Sequence, residues 1–144
     1  MNATCYPVNV VFYGHSFVRR LQLFMNREET RNFGLCHDGH CISLVGQGGM
    51  TTAHLEQKIH LVGRMGPRVV FLDIAIGTND LSSGYPIARL VERVLAAARI
   101  LISFYHVKQV VILEIFRRLP TGRYHCPVDF NDRVVSYNTL LKEN

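Results

Sequence analysis

Four short apolar runs constrain what this chain can fold into. Each spans five to eight residues and is rich in β-branched side chains: Val8–Tyr13, Cys41–Val45, Val69–Ile76 and Gln109–Phe116. That length is typical of β-strands, whereas a buried helix runs for about ten residues or more. Strands that are apolar throughout are buried on both faces, as in a parallel sheet that helices cover on each side.

Segments with helical periodicity separate these runs. The expected helices are Phe17–Asn26, one capped by Thr51 or Thr52, a long one with Pro86 in its first turn, and a last one from about Asn131. Proline suits the first turn of a helix because its fixed φ is helical and its missing N–H is not needed there. Strands alternating with helices predict a three-layer, flavodoxin-like α/β fold with a parallel sheet in the middle.

Length and composition favour a single domain. The 144 residues contain no linker and no internal repeat, so residues 1–144 are expected to fold as one unit. No apolar run reaches the roughly 18 residues that a membrane span needs, and the N-terminus lacks the pattern of a signal peptide. The four cysteines are expected to be reduced, because a domain of this size needs no disulfides. These features together predict a cytoplasmic protein without a membrane span.

The basic charge comes almost entirely from arginine. The net charge is +5, and 13 of the 16 basic residues are arginines. Arginine suits bidentate contacts to phosphate or carboxylate groups. These arginines are spread along the chain and form no dense run, so composition gives only weak support for a nucleic-acid partner.

Polar segments follow the first three apolar runs, where a parallel sheet binds its ligands. They are Gly14–Ser16, Gly46–Gly49 and Gly77–Asp80. A serine that follows a turn and opens a helix is the setting of an exposed nucleophile, which singles out Ser16. The glycines of the second segment let a backbone N–H approach a ligand oxygen closely, and Asn79 offers an amide donor. Donors converging on one hydroxyl predict an oxyanion hole.

These three segments resemble the sequence blocks of one enzyme family. Tyr13–Phe17 is similar to the first block of the SGNH hydrolases (GDSL-type esterases), Val45–Gly49 to the second, and Ile76–Asp80 to the Gly-x-Asn-Asp third block. The second block also resembles that of the platelet-activating-factor acetylhydrolase catalytic subunits. The Gly-His-Ser variant resembles esterase domains of animal retroelement proteins. The likeness spans most of the chain.

The resemblance implies a role for each residue that matches a block. Ser16 would be the nucleophile, with its own N–H and that of Gly49 as backbone oxyanion donors and Asn79 as the side-chain donor. Gly48 competes with Gly49 for the glycine role, since one residue of register decides between them. His15, Gly48 and Arg19 are expected to contact the substrate, a small ester or acyl compound. No metal and no cofactor is implied.

The sequence departs from the family in two places. His15 stands where the family has aspartate, and no histidine has an aspartate three residues before it, so the Asp-x-x-His block is missing. The chain ends at Asn144, soon after a helix that resembles the one before the family's last strand. We therefore expect a C-terminally truncated domain that lacks the last strand and the catalytic block and hydrolyses esters poorly.

This departure leaves a second hypothesis open. The chain is then a non-catalytic module, a degenerate esterase fold that binds RNA or protein within a retroelement-encoded protein. A sheet without its last strand would leave the fourth apolar run at an edge, where it could pair with a second copy. Self-association is therefore expected as well.

Other roles compete for the same residues. Ser16 can simply cap its helix, and Asn79 can tie down its loop through an Asx-turn. His15 is disfavoured as a substitute base for Ser16, because adjacent side chains are expected to diverge. The segment Cys36–Cys41 is rich in metal-binding side chains, but its spacing is not that of a zinc site, so we interpret it as a loop.

Overall fold

A parallel four-stranded sheet forms the centre of the protein. The structure, a computed structural model, describes residues 8–28, 33, 39–73, 76–119 and 128–144. The strands are β1 (Val8–Gly14), β2 (His40–Gly46), β3 (Val69–Leu72) and β4 (Gln109–Ile112), in the order β2-β1-β3-β4. β1 pairs with β2 over its whole length and with β3 from Val10 onward. The predicted α/β fold around a parallel sheet is confirmed.

Five helices accompany the sheet in the described part of the chain. They are α1 (Ser16–Arg27), α2 (Thr52–Arg64), α3 (Thr78–Ser82), α4 (Ile87–Ser103) and α5 (Val128–Glu143). Thr51, one of the two residues predicted as the cap, caps α2. Pro86 is the N-cap of α4, directly before the first turn in which it was predicted. The short helix α3 was not predicted, and α5 begins three residues earlier than expected.

The main core lies between the sheet, α2 and α4. Its members include Val11 and Tyr13 from β1, Val70 and Leu72 from β3, Leu55 and Ile59 from α2, and Val94 and Leu101 from α4. A second cluster packs α5 against α3, α4 and the chain after β4, through Leu81, Leu90, Ile115, Phe130, Val134 and Tyr137. β1 and β3 therefore each contribute alternate side chains to the core.

Two strands are shorter than their apolar runs. β3 ends at Leu72, because the chain turns when Ile76 N–H donates to the Asp73 carbonyl at 3.1 Å. Ile76 is nevertheless buried in the main core. β4 ends at Ile112, although Ile115 is also buried. Ile76 and Ile115 are therefore buried beyond the ends of their strands, whereas Phe116, the last residue of the fourth run, is exposed.

Two asparagines of α5 hold the chain after β4. Asn138 accepts a hydrogen bond from Ile115 N–H at 3.0 Å and donates to the Ile115 carbonyl at 2.9 Å. Asn131 does the same with Arg118, at 2.8 and 3.0 Å. Each side-chain amide thus satisfies both backbone groups of one residue, which a neighbouring strand would otherwise do.

Candidate active site

The first loop of the site is pinned at the point where β1 ends. Asp73, directly after β3, accepts a hydrogen bond from His15 N–H through its carboxylate at 3.1 Å, and its own N–H donates to the Tyr13 carbonyl at 2.9 Å. A Cβ on Gly14 would lie 2.0 Å from the Cβ of Asp73. Glycine is therefore required where β1 passes Asp73, and this contact sets the turn from which α1 begins at Ser16.

The second loop lies next to the first. Gln47 N–H donates to the Gly14 carbonyl at 2.9 Å. Gly49 is exposed and has a φ of +68°, a left-handed conformation that favours glycine. The following residue, Met50, is fully buried. The loop therefore turns sharply at Gly49 and then enters the core before α2.

Asp80 joins the third loop to the second. Its buried carboxylate accepts hydrogen bonds from Thr52 N–H at 2.9 Å and from the Thr52 hydroxyl at 3.3 Å. Thr52 is the first residue of α2, whose N–H has no partner within its own helix. Asp80 therefore caps α2 and holds α3 against it.

The ring of His15 connects the first loop to the third. His15 Nδ1 lies 2.6 Å from Ser16 Oγ, and His15 Nε2 lies 2.9 Å from Asn79 Nδ2. Asn79 Nδ2 also donates to the Met50 carbonyl at 3.0 Å. The expectation that the side chains of His15 and Ser16 diverge is wrong, because the turn before α1 places both on the same side.

The surroundings of the His15 ring favour its neutral form. Burial lowers its pKa below the ordinary value of 6.5, and Arg20 and Arg118 lower it further. The Asp73 carboxylate and the side-chain hydrogen bond with Asn79 act in the opposite direction and raise the pKa, but they do not restore the ordinary value. A neutral imidazole has one nitrogen that donates and one that accepts.

The remaining expected residues surround this group less tightly. Arg19 is exposed on α1, and its Nη1 would lie 3.2 Å from a Cβ built on Gly48. Gly48 and Gly49 are both exposed on the second loop, and which of them donates to an oxyanion stays a prediction. The structure therefore brings Ser16 and Asn79 into contact with His15, and it places the two glycines on the adjoining loop and Arg19 on α1.

Sequence reasoning missed the residues that support the site. Asp73 anchors the turn, Thr52 N–H donates to the Asp80 carboxylate, and the Met50 carbonyl accepts from the Asn79 amide. One signal was present: Asp73 is the only charged residue in the run Val69–Ile76, and a carboxylate in such a place needs a hydrogen-bonding partner.

No metal site is found among the described residues, where no three histidine, cysteine or acidic side chains are grouped. Of the segment Cys36–Cys41, predicted as a loop, residues 36–38 lie outside the described residues, whereas His40 and Cys41 are the first residues of β2 and not part of a loop. Cys41 is a free, exposed thiol. No helix in the described part of the chain is both long enough and apolar enough to cross a membrane.

A parallel sheet that presents a serine and an amide at the carboxyl ends of its strands belongs to the α/β proteins with ligand sites at that edge. This chain is similar to solved structures of esterases, a lipase and an acylhydrolase. A candidate acylhydrolase from Bacteroides fragilis superimposes with a TM-score of 0.72 at 19% identity, covering 99% of this chain and 67% of that one. A GDSL-like lipase from Bacteroides thetaiotaomicron gives 0.66 at 17% identity, covering 94% and 62%.

An esterase of the SGNH-hydrolase family gives a TM-score of 0.60 at 16% identity, covering 95% of this chain and 71% of that one. This chain has the SGNH-hydrolase fold, and it spans about two thirds of the length of the first two structures. No protein-family model matches the sequence, and no curated protein is similar to it. The resemblance to retroelement esterases stays a prediction.

Proposed function

We propose that this chain is a serine esterase domain that acts on a small ester or acyl substrate. The observation that carries the proposal is the contact of Ser16 and Asn79 with one ring, His15, at the carboxyl ends of β1 and β3. Because a single side chain contacts both the nucleophile and the amide donor, the two groups are close enough to act on the same carbonyl group. The fold of the solved esterases and lipases agrees with this function.

The proposed chemistry is acyl transfer. Ser16 Oγ attacks the carbonyl carbon, its proton passes to solvent water, and the carbonyl oxygen becomes an oxyanion. The N–H groups of Ser16 and Gly49 and the Asn79 amide stabilise that charge. Collapse of the tetrahedral intermediate expels the alcohol, and water then releases the acid. Arg19 on α1 and Gly48 on the second loop would contact the substrate.

Labelling of Ser16 tests this function more sensitively than turnover does. The sequence has no Asp-x-x-His block, and loss of a triad member leaves only the residual catalysis of the oxyanion hole and binding. We therefore expect slow hydrolysis of p-nitrophenyl acetate but covalent labelling by a small fluorophosphonate, located at Ser16 by mass spectrometry.

The control is a serine outside the site. Ser136 is exposed on α5, where its hydroxyl donates to the Asp132 carbonyl at 3.0 Å. Ser16→Ala should abolish labelling and hydrolysis, and Ser136→Ala should leave both unchanged. If the unaltered chain shows neither, the esterase proposal is wrong and the second hypothesis, a non-catalytic module that binds RNA or protein, takes its place.

A further inference from the structure

The Asn79 amide uses both of its hydrogens in this structure. The Met50 carbonyl can only accept a hydrogen bond, so the atom 3.0 Å from it must be the amide nitrogen of Asn79. The same nitrogen lies 2.9 Å from His15 Nε2. With one hydrogen on Met50, the other points to the ring, and His15 Nε2 is therefore an acceptor.

This arrangement decides the tautomer of His15. A neutral imidazole whose Nε2 accepts carries its hydrogen on Nδ1. That Nδ1–H then donates to Ser16 Oγ across 2.6 Å. In this tautomer His15 cannot take the proton of Ser16, because Nδ1 already holds a hydrogen and Nε2 faces Asn79. His15 is therefore not the base for Ser16.

We propose that His15 is a positioning residue that fills the oxyanion hole in the resting state, with its Nε2 in the place that the carbonyl oxygen of an ester takes at Asn79. This inference rests on the proposed function, since it assigns the acceptor that a substrate must displace. When an ester binds, its carbonyl oxygen replaces Nε2 as the acceptor of the second Asn79 hydrogen. The Met50 bond holds the amide in its orientation during this exchange.

Both partners of the ring are anchored from outside the site. His15 is fixed through its backbone N–H by Asp73, and α3, which carries Asn79, is fixed by the bonds between Asp80 and Thr52. The backbone positions can therefore stay in place while the His15 side chain rotates away. Exchange at Asn79 needs a change of side-chain rotamer and no movement of the sheet.

The first test is the tautomer itself, which does not depend on activity. In the full chain with ¹⁵N-labelled histidine, long-range ¹H–¹⁵N correlation spectra should show His15 protonated at Nδ1 and unprotonated at Nε2. Asn79→Asp should switch it to Nε2–H, because a carboxylate only accepts. His106→Asn serves as the control, since His106 is exposed with a φ of 57° that asparagine also adopts. A wild-type Nε2–H tautomer, or no switch in Asn79→Asp, would overturn the proposal.

The second test measures the reactivity of Ser16. His15→Ala should raise the rate of labelling by a small fluorophosphonate about fivefold, the factor that one ordinary hydrogen bond is worth. His106→Asn should label at the wild-type rate. Slower labelling of His15→Ala would overturn the proposal. An Nδ1–H tautomer in a protein whose Ser16 never reacts would support the His15 arrangement and count against the esterase function instead.

Discussion

The His15 ring and the Asn79 amide meet at 2.9 Å, although 64 residues separate them along the chain. His15 stands on the turn after β1, and Asn79 is the second residue of α3, beyond the end of β3. Because β1 and β3 pair directly, the sheet sets the distance between the two loops. The contact therefore forms only when the carboxyl ends of β1 and β3 lie side by side in the sheet.

The first prediction concerns pH. His15 has a lowered pKa in the folded protein, whereas an unfolded histidine titrates near about 6.5. As the pH falls, the unfolded chain binds this proton first, so the free energy of unfolding should decrease from about pH 6.5 down to the folded pKa of His15 and then level off. Protonation also gives Nε2 a hydrogen, which ends its bond with Asn79.

Urea unfolding over a pH series checks this prediction. His15→Asn should lose less stability across the same pH range, because the titrating ring is gone while the other histidines remain. The groups that act on the pKa of the ring are present in both proteins: Asp73, Asn79, Arg20 and Arg118. Identical pH dependence in the two proteins would contradict the prediction.

The second prediction concerns the contact of β2 with α1. A Cβ on Gly46 would lie 2.2 Å from Arg19 N and 2.6 Å from Arg19 Cα, and backbone atoms cannot rotate away. Gly46→Ala should therefore lower the free energy of unfolding by about 2 kcal/mol, as overpacking does. Gly48→Ala is the matched control, because its Cβ would approach only the flexible end of Arg19, at 3.2 Å. If Gly46→Ala and Gly48→Ala lower the free energy of unfolding in urea equally, the contact is refuted.

The third prediction concerns the cap of α2. Asp80→Ala should lower the free energy of unfolding by about 2 kcal/mol, since it leaves Thr52 N–H buried without its charged acceptor. Asp80→Asn keeps an oxygen in the same place and should have about half that effect. Calorimetry or urea unfolding can rank the two variants. A larger loss in Asp80→Asn than in Asp80→Ala would show that Asp80 acts in another way.

Several features of the site were predictable because they depend on local sequence. Ser16 after Gly14-His15, and Asn79 after a turning glycine, follow apolar runs, and parallel strands bring such positions to one edge. The His15–Ser16 contact was not predictable. It depends on the turn that Asp73 fixes from another strand, and side-chain direction on a turn cannot be inferred from neighbouring letters alone.

The strand ends were mispredicted for a related reason. Hydrophobicity reports whether a residue is buried and not which backbone partners it has. Ile76 and Ile115 lie in apolar runs and are buried, yet both are past the end of a strand. The sequence did not predict α3, because the five residues Thr78–Ser82 are too few to show a helical period.

The fourth prediction concerns β4, an outer strand of the sheet in the described residues. Unpaired backbone groups on such a strand can bond to another chain, and a lysine there disfavours that pairing. We expect the mass of this chain in analytical ultracentrifugation to rise with concentration, and Val111→Lys to reduce that rise. Val135→Lys, on an exposed part of α5, should leave it unchanged. A monomer at every concentration would disprove self-association through β4.

The two asparagines of α5 together fix the number of residues in the segment that follows β4. Asn131 and Asn138 are seven residues apart on a helix, a rise of about 10 Å, and their partners Arg118 and Ile115 are three residues apart, about 10 Å of extended chain. Both side-chain amides bond to main-chain atoms. The side chains of Phe116 and Arg117, which lie between the two bonded residues, can therefore be changed without weakening these bonds. Substitutions are therefore tolerated in this stretch, but an inserted or deleted residue would leave one of the asparagines facing the wrong peptide.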